Sequence, residues 1–275
     1  MARRRLDAEL VRRGIVGSRE QAQSAIADGR VSVGGVVAVK SATQVDEAAA
    51  IEVDRAGSEY VSRGAYKLIG ALDAFEVDVS GLRALDAGAS TGGFTQVLLE
   101  RGVQAVAAVD VGYGQFAWSL RSDERVQVLE RTNVRHLAAG DLPFAPDLVV
   151  ADLSFISLVK VLPALVQVAS DDAQWIVMVK PQFEAGRAKV KAGVVSDPQV
   201  RIEAVMGVAQ AGRELGLAVR GVAASPLPGP KGNVEYFLWM TRSGGDGGPE
   251  GRDDGGMDEQ ASAEAIARAV REGPA

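Results

Sequence analysis

The stretch Leu85-Asp86-Ala87-Gly88-Ala89-Ser90-Thr91-Gly92-Gly93-Phe94-Thr95 combines an apolar strand, a glycine-rich turn and the start of a helix. Asp110 follows Gly88 by about twenty residues, at the end of the next apolar strand. Glycines in such a turn let the backbone approach a ligand, and a carboxylate at this interval accepts hydrogen bonds from ribose hydroxyls. The pattern predicts a Rossmann-like unit that binds an adenosine-type cofactor.

The turn differs from the dinucleotide-binding pattern G-x-G-x-x-G. Its first glycines are not spaced for a pyrophosphate, whereas Ser90 and Thr91 offer hydroxyl groups and Gly92-Gly93 opens the helix. This form suits S-adenosyl-L-methionine, which has a compact amino-acid end, better than NAD. The competing interpretation is a tight strand–helix turn that holds no ligand.

From residue 82 onward, nearly continuous apolar strands alternate with helices, which is typical of a parallel sheet covered on both faces. We therefore predict an α/β fold: a Rossmann-like, mostly parallel seven-stranded sheet with helices on both faces. The last strand follows a Pro-Gly-Pro turn and is expected to pair antiparallel. The seven strands are predicted at 82–87, 105–110, 126–130, 147–152, 174–180, 217–224 and 234–241.

The two ends of the chain differ from this alternating region. Near the N-terminus, two short helices precede a valine-rich hairpin around Gly34-Gly35, which predicts a small α+β module of about fifty residues. The segment 243–275 is rich in Gly, Asp and Glu, and we predict that it is disordered. Within it, residues 261–272 have the pattern of a short helix, to which we assign no function.

Composition excludes several classes of protein. The 275 residues include no cysteine, which excludes disulfides and thiolate metal sites. With one histidine, His136, a Ser-His-Asp triad or a multi-histidine metal site is not expected, and we predict no metal. We find no signal segment and no apolar run long enough to cross a bilayer, so we expect a cytoplasmic protein that does not enter membranes.

The net charge of −6 is distributed unevenly. Residues 1–40 carry eight basic and four acidic side chains, whereas the chain from Arg242 onward carries four arginines and eight acidic side chains. A basic head favours a nucleic-acid partner, although a merely solvated surface is the alternative. The candidate phosphate contacts are Arg3, Arg5, Arg19 and Arg30. A basic loop at 186–191, with Arg187 and Lys189, is expected to clamp RNA.

Charged residues also lie at the ends of apolar strands. Asp152 follows Leu148–Ala151, Lys180 follows Ile176–Val179, and Glu235 begins the last strand. The carboxyl ends of parallel strands converge at the ligand crevice, so we expect these side chains to meet near the cofactor, with Lys67 completing the cluster. Burying such charges unpaired is unfavourable, which indicates a functional role. A salt-bridge cluster without catalysis is the alternative.

Four motifs together resemble the TlyA family, ribosomal-RNA 2′-O-methyltransferases of the FtsJ-like group that are historically also labelled hemolysins. The N-terminal module resembles the RNA-binding domain first seen in ribosomal protein S four. The resemblance covers about residues 3–241, and its motifs occur in the same order. They are the runs Val61–Leu68, Asp86–Thr95, Asp152–Ser157 and Val179–Glu184.

The resemblance implies a division into four segments: an S-four-type RNA-binding domain at 1–55, a linker at 56–64, an FtsJ-like methyltransferase domain at 65–242 and the tail at 243–275. It implies S-adenosyl-L-methionine as methyl donor and the ribose 2′-hydroxyls of cytidines in 16S and/or 23S rRNA as acceptors, with ribosomal subunits as partners. The implied tetrad is Lys67, Asp152, Lys180 and Glu235. The implied cofactor contacts are Gly88, Ser90, Thr91, Gly92, Phe94, Asp110 and Asn133.

A ribose hydroxyl is a poor nucleophile until its proton is removed, so the reaction needs a positioned base. Lys180 can serve if a fraction of it is neutral. We expect Lys67 to lower the pKa of Lys180, while Asp152 orients Lys180 and opposes that shift. Glu235 is expected to hold Lys67 or the ribose. No metal is required, because the leaving thioether is neutral.

Aromatic residues near the crevice have two interpretations. Phe155, Phe183 and Tyr113 either stack on a flipped base or pack as ordinary core or rim side chains. For the whole chain, two further functions remain as alternatives: a membrane-active hemolysin, and a non-catalytic RNA-binding protein with a vestigial transferase fold. The sequence does not determine the oligomeric state.

Overall fold

The computed structural model describes residues 3–17, 19–27, 29–53, 60–229, 231–243 and 256–273. The chain divides into two compact units, Met1–Glu59 and Tyr60–Ala275. Part of the predicted linker (56–59) and part of the predicted disordered tail (244–255, 274 and 275) lie outside the described residues.

The first unit is a small α+β module. Its helices pack through apolar side chains, with Leu6, Leu10 and Ile26 fully buried. Strand β2 lies between β3 and β5 in an antiparallel sheet, and β1 pairs with β4. The elements are β1 (Arg4–Arg5), α1 (Leu6–Arg12), α2 (Arg19–Ala27), β2 (Val31–Val33), β3 (Val36–Val37), β4 (Gln44–Val45) and β5 (Ile51–Val53).

The second unit is built on one seven-stranded sheet. Its strands are β6 (Arg83–Ala87), β7 (Ala105–Val109), β8 (Val126–Leu129), β9 (Leu148–Ala151), β10 (Gln174–Val179), β11 (Leu217–Ala224) and β12 (Tyr236–Arg242). Its helices are α3 (Gly64–Phe75), α4 (Gly93–Glu100), α5 (Trp118–Arg121), α6 (Leu162–Val168), α7 (Pro181–Glu184), α8 (Pro198–Glu214) and α9 (Glu259–Glu272).

The strand order is β11-β12-β10-β9-β6-β7-β8. The pairs from β10 to β8 are parallel, whereas β12 runs antiparallel to both β10 and β11. The predicted fold class, including the antiparallel last strand, is confirmed. Because β6 is followed along the chain by β7 on one side but borders β9 on the other, the strand order reverses there. Ligand crevices in open α/β sheets form at such a point.

Apolar side chains cover both faces of this sheet. In β10, Trp175, Val177 and Val179 belong to one core cluster, whereas Ile176 and Met178 belong to another. Successive side chains of a strand point to opposite faces, so an uninterrupted apolar run supplies two cores at once. This explains why the central strands do not show a polar–apolar alternation.

The described part of the C-terminal segment is ordered, so the prediction of a disordered tail is wrong for residues 256–273. Asp258 caps α9 by accepting a hydrogen bond from the Ala261 N–H at 2.7 Å. On one face of this helix Ala265, Ile266 and Val270 are buried against α8 and β11. The helical pattern noted at 261–272 corresponds to α9, whereas the acidic, glycine-rich composition of the whole segment led to the prediction of disorder.

We predict that Ile266→Ala lowers the free energy of unfolding by about 2 kcal/mol or more, because it removes a fully buried side chain from the core. Guanidinium unfolding followed by circular dichroism measures this. Arg268→Ala, at an exposed position of the same helix, is the control and is expected to leave the midpoint unchanged. Equal midpoints for Ile266→Ala and the wild type would show that α9 does not dock on the core.

Candidate active site

The glycine-rich turn after β6 lies at the point where the strand order reverses. Gly88 has φ +90°, and a Cβ at this position would lie 2.6 Å from the Asp152 carbonyl oxygen. Gly92 has φ +99°, and its Cβ would lie 2.5 Å from a methyl group of Leu120. A side chain at either position would be strained and would clash, so the close approach of these loops requires glycine.

Asp110 joins the turn to the end of β7. Its Oδ2 accepts a hydrogen bond from the Ser90 N–H at 2.8 Å, and its Oδ1 accepts one from the Gly112 N–H at 2.6 Å. The Thr132 N–H donates to the Asp110 carbonyl oxygen, which brings the neighbouring, exposed Asn133 to the same edge. The side chain of Asn133 caps a short 3₁₀-helix by accepting from the Arg135 N–H. The structure therefore brings Ser90, Asp110 and Asn133 together.

Two other predicted cofactor residues take different positions. Thr91 is partly buried, and its carbonyl oxygen accepts from the Ala117 N–H at the start of α5. Phe94 is only 4% exposed, and its ring packs in the core at 6.3 Å from the ring of Phe237. A cofactor contact of Phe94 therefore stays a prediction, and its backbone is better placed for that contact than its buried ring.

Two ion pairs form a cluster beside the turn. Lys180 Nζ lies 2.5 Å from Asp152 Oδ1, and Lys67 Nζ lies 2.5 Å from Glu235 Oε2. Lys67, Lys180 and Glu235 are at most 8% exposed, whereas the side chain of Asp152 is 22% exposed. Lys180 also donates to Ser154 Oγ at 3.0 Å. The four residues that the sequence predicts to meet are therefore neighbours in the structure.

The charges of this cluster influence one another. Burial alone would raise the pKa of Asp152, but the cations of Lys180 and Lys67 outweigh it and lower that pKa. Burial alone would lower the pKa of Lys180, but the carboxylates of Asp152 and Glu235 outweigh it and raise that pKa. We expected Lys67 to lower the pKa of Lys180 and Asp152 to oppose that shift. The net shift is upward, because the carboxylates of Asp152 and Glu235 dominate. In the protein alone, Lys180 is a cation at neutral pH.

Comparison with known proteins agrees with this geometry. The FtsJ-like methyltransferase family matches residues 60–242, and the S4 domain matches residues 4–51. The 16S/23S rRNA (cytidine-2′-O)-methyltransferase TlyA of Mycobacterium tuberculosis is 55% identical over 280 residues, which is 100% of both chains. The chain belongs to the TlyA family of FtsJ-like methyltransferases. The predicted family and the predicted methyltransferase activity class are thus confirmed.

Two further relatives carry a different name. Hemolysin A of Brachyspira hyodysenteriae is 36% identical over 235 residues, covering 85% of this chain and 98% of that protein. A solved structure from Streptococcus thermophilus, also described as a hemolysin, is 34% identical with a TM-score of 0.73. It covers 99% of this chain and 97% of its own. These names describe the relatives and assign no membrane activity to the TlyA-family chain.

In the S4 domain, an acidic residue engages two of the predicted phosphate contacts. Asp7 is fully buried, and its carboxylate pairs with Arg5 at 2.9 Å and with Arg19 at 3.2 Å. These bonds, the one from Arg5 above all, hold the pKa of Asp7 well below its usual range. Arg3 is exposed and Arg30 is partly buried. Arg5 and Arg19 are thus fixed in place and still partly exposed.

The other residues predicted to contact RNA differ in their partners and exposure. Lys189 pairs with Glu203 at 2.5 Å, and nothing is described for the side chain of Arg187. Tyr113 is 67% exposed and packs against the Arg131 guanidinium at 4.2 Å. Phe155 is 90% exposed, with its ring 5.2 Å from that of Phe183.

Within the ranges that the structure describes, no group of three or more His, Asp or Glu side chains is arranged to hold a metal ion. Over the same ranges, no helix is both long and apolar enough to span a bilayer.

Sequence reasoning missed Asp86, which lies beneath the turn at the end of β6. It is fully buried, and its Oδ2 accepts from Thr95 Oγ1 at 2.7 Å. Among the described residues, its Oδ1 has no hydrogen-bond partner. Burial raises the pKa of Asp86 to about 7, and the nearby charge of Asp152 adds to this, against the bond from Thr95. An acid inside the apolar run Leu85–Ala87 was the signal that could have identified it.

We predict that Asp86 makes stability depend on pH. The pKa of Asp86 is higher in the folded than in the unfolded state. The free energy of unfolding therefore keeps its full value below about pH 4 and falls as the pH rises towards 7. Asp86→Asn keeps an acceptor for Thr95 and removes this ionisation. Its melting temperature relative to the wild type should therefore rise between pH 5 and pH 8. A pH-independent difference would contradict the assigned pKa shift.

Proposed function

We propose that this chain transfers a methyl group from S-adenosyl-L-methionine to the ribose 2′-hydroxyl of a cytidine in 16S and/or 23S rRNA. The observation that carries the proposal is the presence of two ion pairs with buried lysines, Lys180–Asp152 and Lys67–Glu235, beside the glycine-rich turn. The identity of the substrate is supported by the name of the M. tuberculosis relative. The site of action would be the cytoplasm, where ribosomal subunits are found.

The turn fits the adenosine end of such a cofactor. The Asp110 oxygens each accept one backbone N–H and keep lone pairs for ribose hydroxyls, and exposed Ser90 and Asn133 lie at the same edge. Gly88, Thr91, Gly92 and the backbone of Phe94 would line the rest of the site. When bound, S-adenosyl-L-methionine supplies a methyl group on a positively charged sulfur, and that charge favours neutral Lys180.

The proposed step uses Lys180 as the base. Neutral Lys180 Nζ would take the proton of the 2′-hydroxyl, and the bound donor would supply its methyl group to that oxygen and leave as a neutral thioether. Asp152 and Ser154 orient Nζ by their contacts with it. Asp152 also stabilises the lysinium that forms. The four residues of the cluster, Lys67, Asp152, Lys180 and Glu235, act mainly by holding the reacting atoms in line.

Lys67 and Glu235 complete the proposed site. Their ion pair is more deeply buried than the Lys180–Asp152 pair. Glu235 fixes Lys67 close enough to influence Asp152, whose pKa Lys67 helps to lower. In the complex, Lys67 or Glu235 would hold the ribose by a hydrogen bond to a neighbouring hydroxyl.

The S4 domain would supply most of the contacts to rRNA. Arg5 and Arg19, held by Asp7, are proposed to present guanidinium groups to phosphates, together with Arg3 and Arg30. Structured RNA is recognised largely by shape and backbone, which a basic surface without aromatic platforms suits. Lys189 and Arg187 are proposed as further phosphate contacts, and for Lys189 this requires exchange of its Glu203 partner.

We predict that the purified chain transfers label from S-adenosyl-L-methionine to ribosomal subunits, and that digestion yields 2′-O-methylcytidine. Lys180→Ala should lower the single-turnover rate by about 10² to 10⁴-fold, because it removes the base. Lys160→Ala replaces an exposed lysine and is the matched control. Equal rates for Lys180→Ala and the wild type would exclude the proposed base. Leakage of liposomes without RNA methylation would favour the hemolysin function instead.

The single-turnover rate should rise with pH between 7 and 9, by up to about tenfold per pH unit, as the neutral fraction of Lys180 grows. Asp152→Asn removes a carboxylate that raises the pKa of Lys180, so its slower rate should reach a plateau at lower pH. Rapid-quench measurements over this range test both expectations. A rate that does not change between pH 7 and 9 would contradict the role of Lys180 as a base.

A further inference from the structure

The loop after β9 and the short helix α7 after β10 are joined at one end by Lys180. Its Nζ pairs with Asp152 and donates to Ser154 Oγ at 3.0 Å. Both partners lie in the first three residues after β9. This contact belongs to the proposed reaction site and holds only the beginning of the loop.

Glu184, at the last position of α7, holds the other end of the same loop. Its Oε2 accepts from Ser157 Oγ at 2.6 Å, and its Oε1 accepts from the Leu158 N–H at 2.8 Å. Leu158 begins a 3₁₀-helix, and Ser157 at the N-cap makes no capping bond with its own side chain. Glu184 therefore supplies, from another element, the acceptor that this helix end requires.

The backbone of Phe155, between the two ends of the loop 152–158, is strained. Phe155 has φ +65°, a conformation that is unusual for a bulky residue, yet its ring is 90% exposed. Among the rings of the described residues, that of Phe183, one residue before Glu184, packs against the ring of Phe155. A strained residue whose side chain is exposed persists only where the neighbouring segments enforce its conformation. On the C-terminal side of Phe155, the two bonds from Glu184 provide that enforcement together with the core packing of Ile156 and Leu158.

We infer that Glu184 is a positioning residue for the methyl transfer proposed above, on which this inference rests. It acts through Ser157 and the Leu158 N–H, and keeps the loop 152–158 in the conformation that presents Ser154 and Asp152 to Lys180. Glu184 itself contacts neither Lys180 nor the turn that would bind the cofactor in the hydrogen bonds of the described residues. Its substitution should therefore affect the reaction geometry and spare cofactor binding.

The test compares Glu184→Ala with Glu184→Gln. Glu184→Ala loses both bonds, and kcat for ribosomal subunits should fall about ten- to hundredfold, with the Kd for S-adenosyl-L-methionine unchanged by calorimetry. Hydrogen exchange should accelerate in peptides covering 153–160 but not in those covering 84–95. In Glu184→Gln the amide oxygen can accept from the Leu158 N–H and the Ser157 hydroxyl can accept from the amide nitrogen. Most of kcat should return.

Ser157→Ala separates positioning from a general loss of stability. It removes one of the two bonds, so its kcat should fall less than that of Glu184→Ala, and the double variant should match Glu184→Ala alone.

Wild-type kcat in Glu184→Ala, unchanged exchange of 153–160, or multiplicative losses in the double variant would each overturn the inference. So would loss of cofactor binding in Glu184→Ala. If the wild type itself transfers no methyl group, the proposed function fails. An active wild type with an equally active Glu184→Ala refutes only this inference.

Discussion

The pairing of two buried lysines with the buried Glu235 and the partly buried Asp152 is the constraint on which this edge of the sheet depends. Taking a charge out of water is unfavourable unless a partner of opposite charge accompanies it, and removing one partner leaves an uncompensated charge. Lys180 and Asp152 follow neighbouring parallel strands, β10 and β9. Glu235 precedes β12, whose antiparallel direction brings its start to the same edge, where Lys67 of α3 meets it. Four distant segments must therefore converge at one place.

The same edge couples the ion pairs to the glycine-rich turn. The Asp152 carbonyl oxygen lies where a side chain at position 88 would be, so the loop carrying one ion pair packs directly on the turn. Asp86 lies beneath both, and its raised pKa reflects its burial and the nearby Asp152 carboxylate. A positive charge bound at the turn would shift the ionisation of Asp86, Asp152 and Lys180 together. The turn and the Lys180–Asp152 pair are thus parts of one electrostatic unit.

Sequence reasoning located the strands and the cluster because both follow from strong local rules. Uninterrupted apolar runs predict buried parallel strands, and charges at their ends converge by topology, as Asp152 and Lys180 do. The prediction failed for the pKa of Lys180, where several groups compete. The direction of that shift depends on the balance of two carboxylates against burial. Sequence reasoning also did not single out Glu184, which bonds to residues about twenty-six positions away along the chain. At α9 the sequence showed the helical pattern, but the acidic composition of the segment led to the prediction that the tail is disordered.

The central claim is that the Lys180–Asp152 pair serves the reaction rather than the stability of the fold. The most direct test is the double variant Asp152→Asn/Lys180→Met, with unfolding free energy and methyl-transfer rate measured on the same preparation. Replacing both partners of a buried ion pair is often neutral or stabilising. We therefore predict wild-type stability or better, with a rate lowered at least about a hundredfold. A destabilised variant that keeps wild-type methyl transfer per folded molecule would contradict the claim.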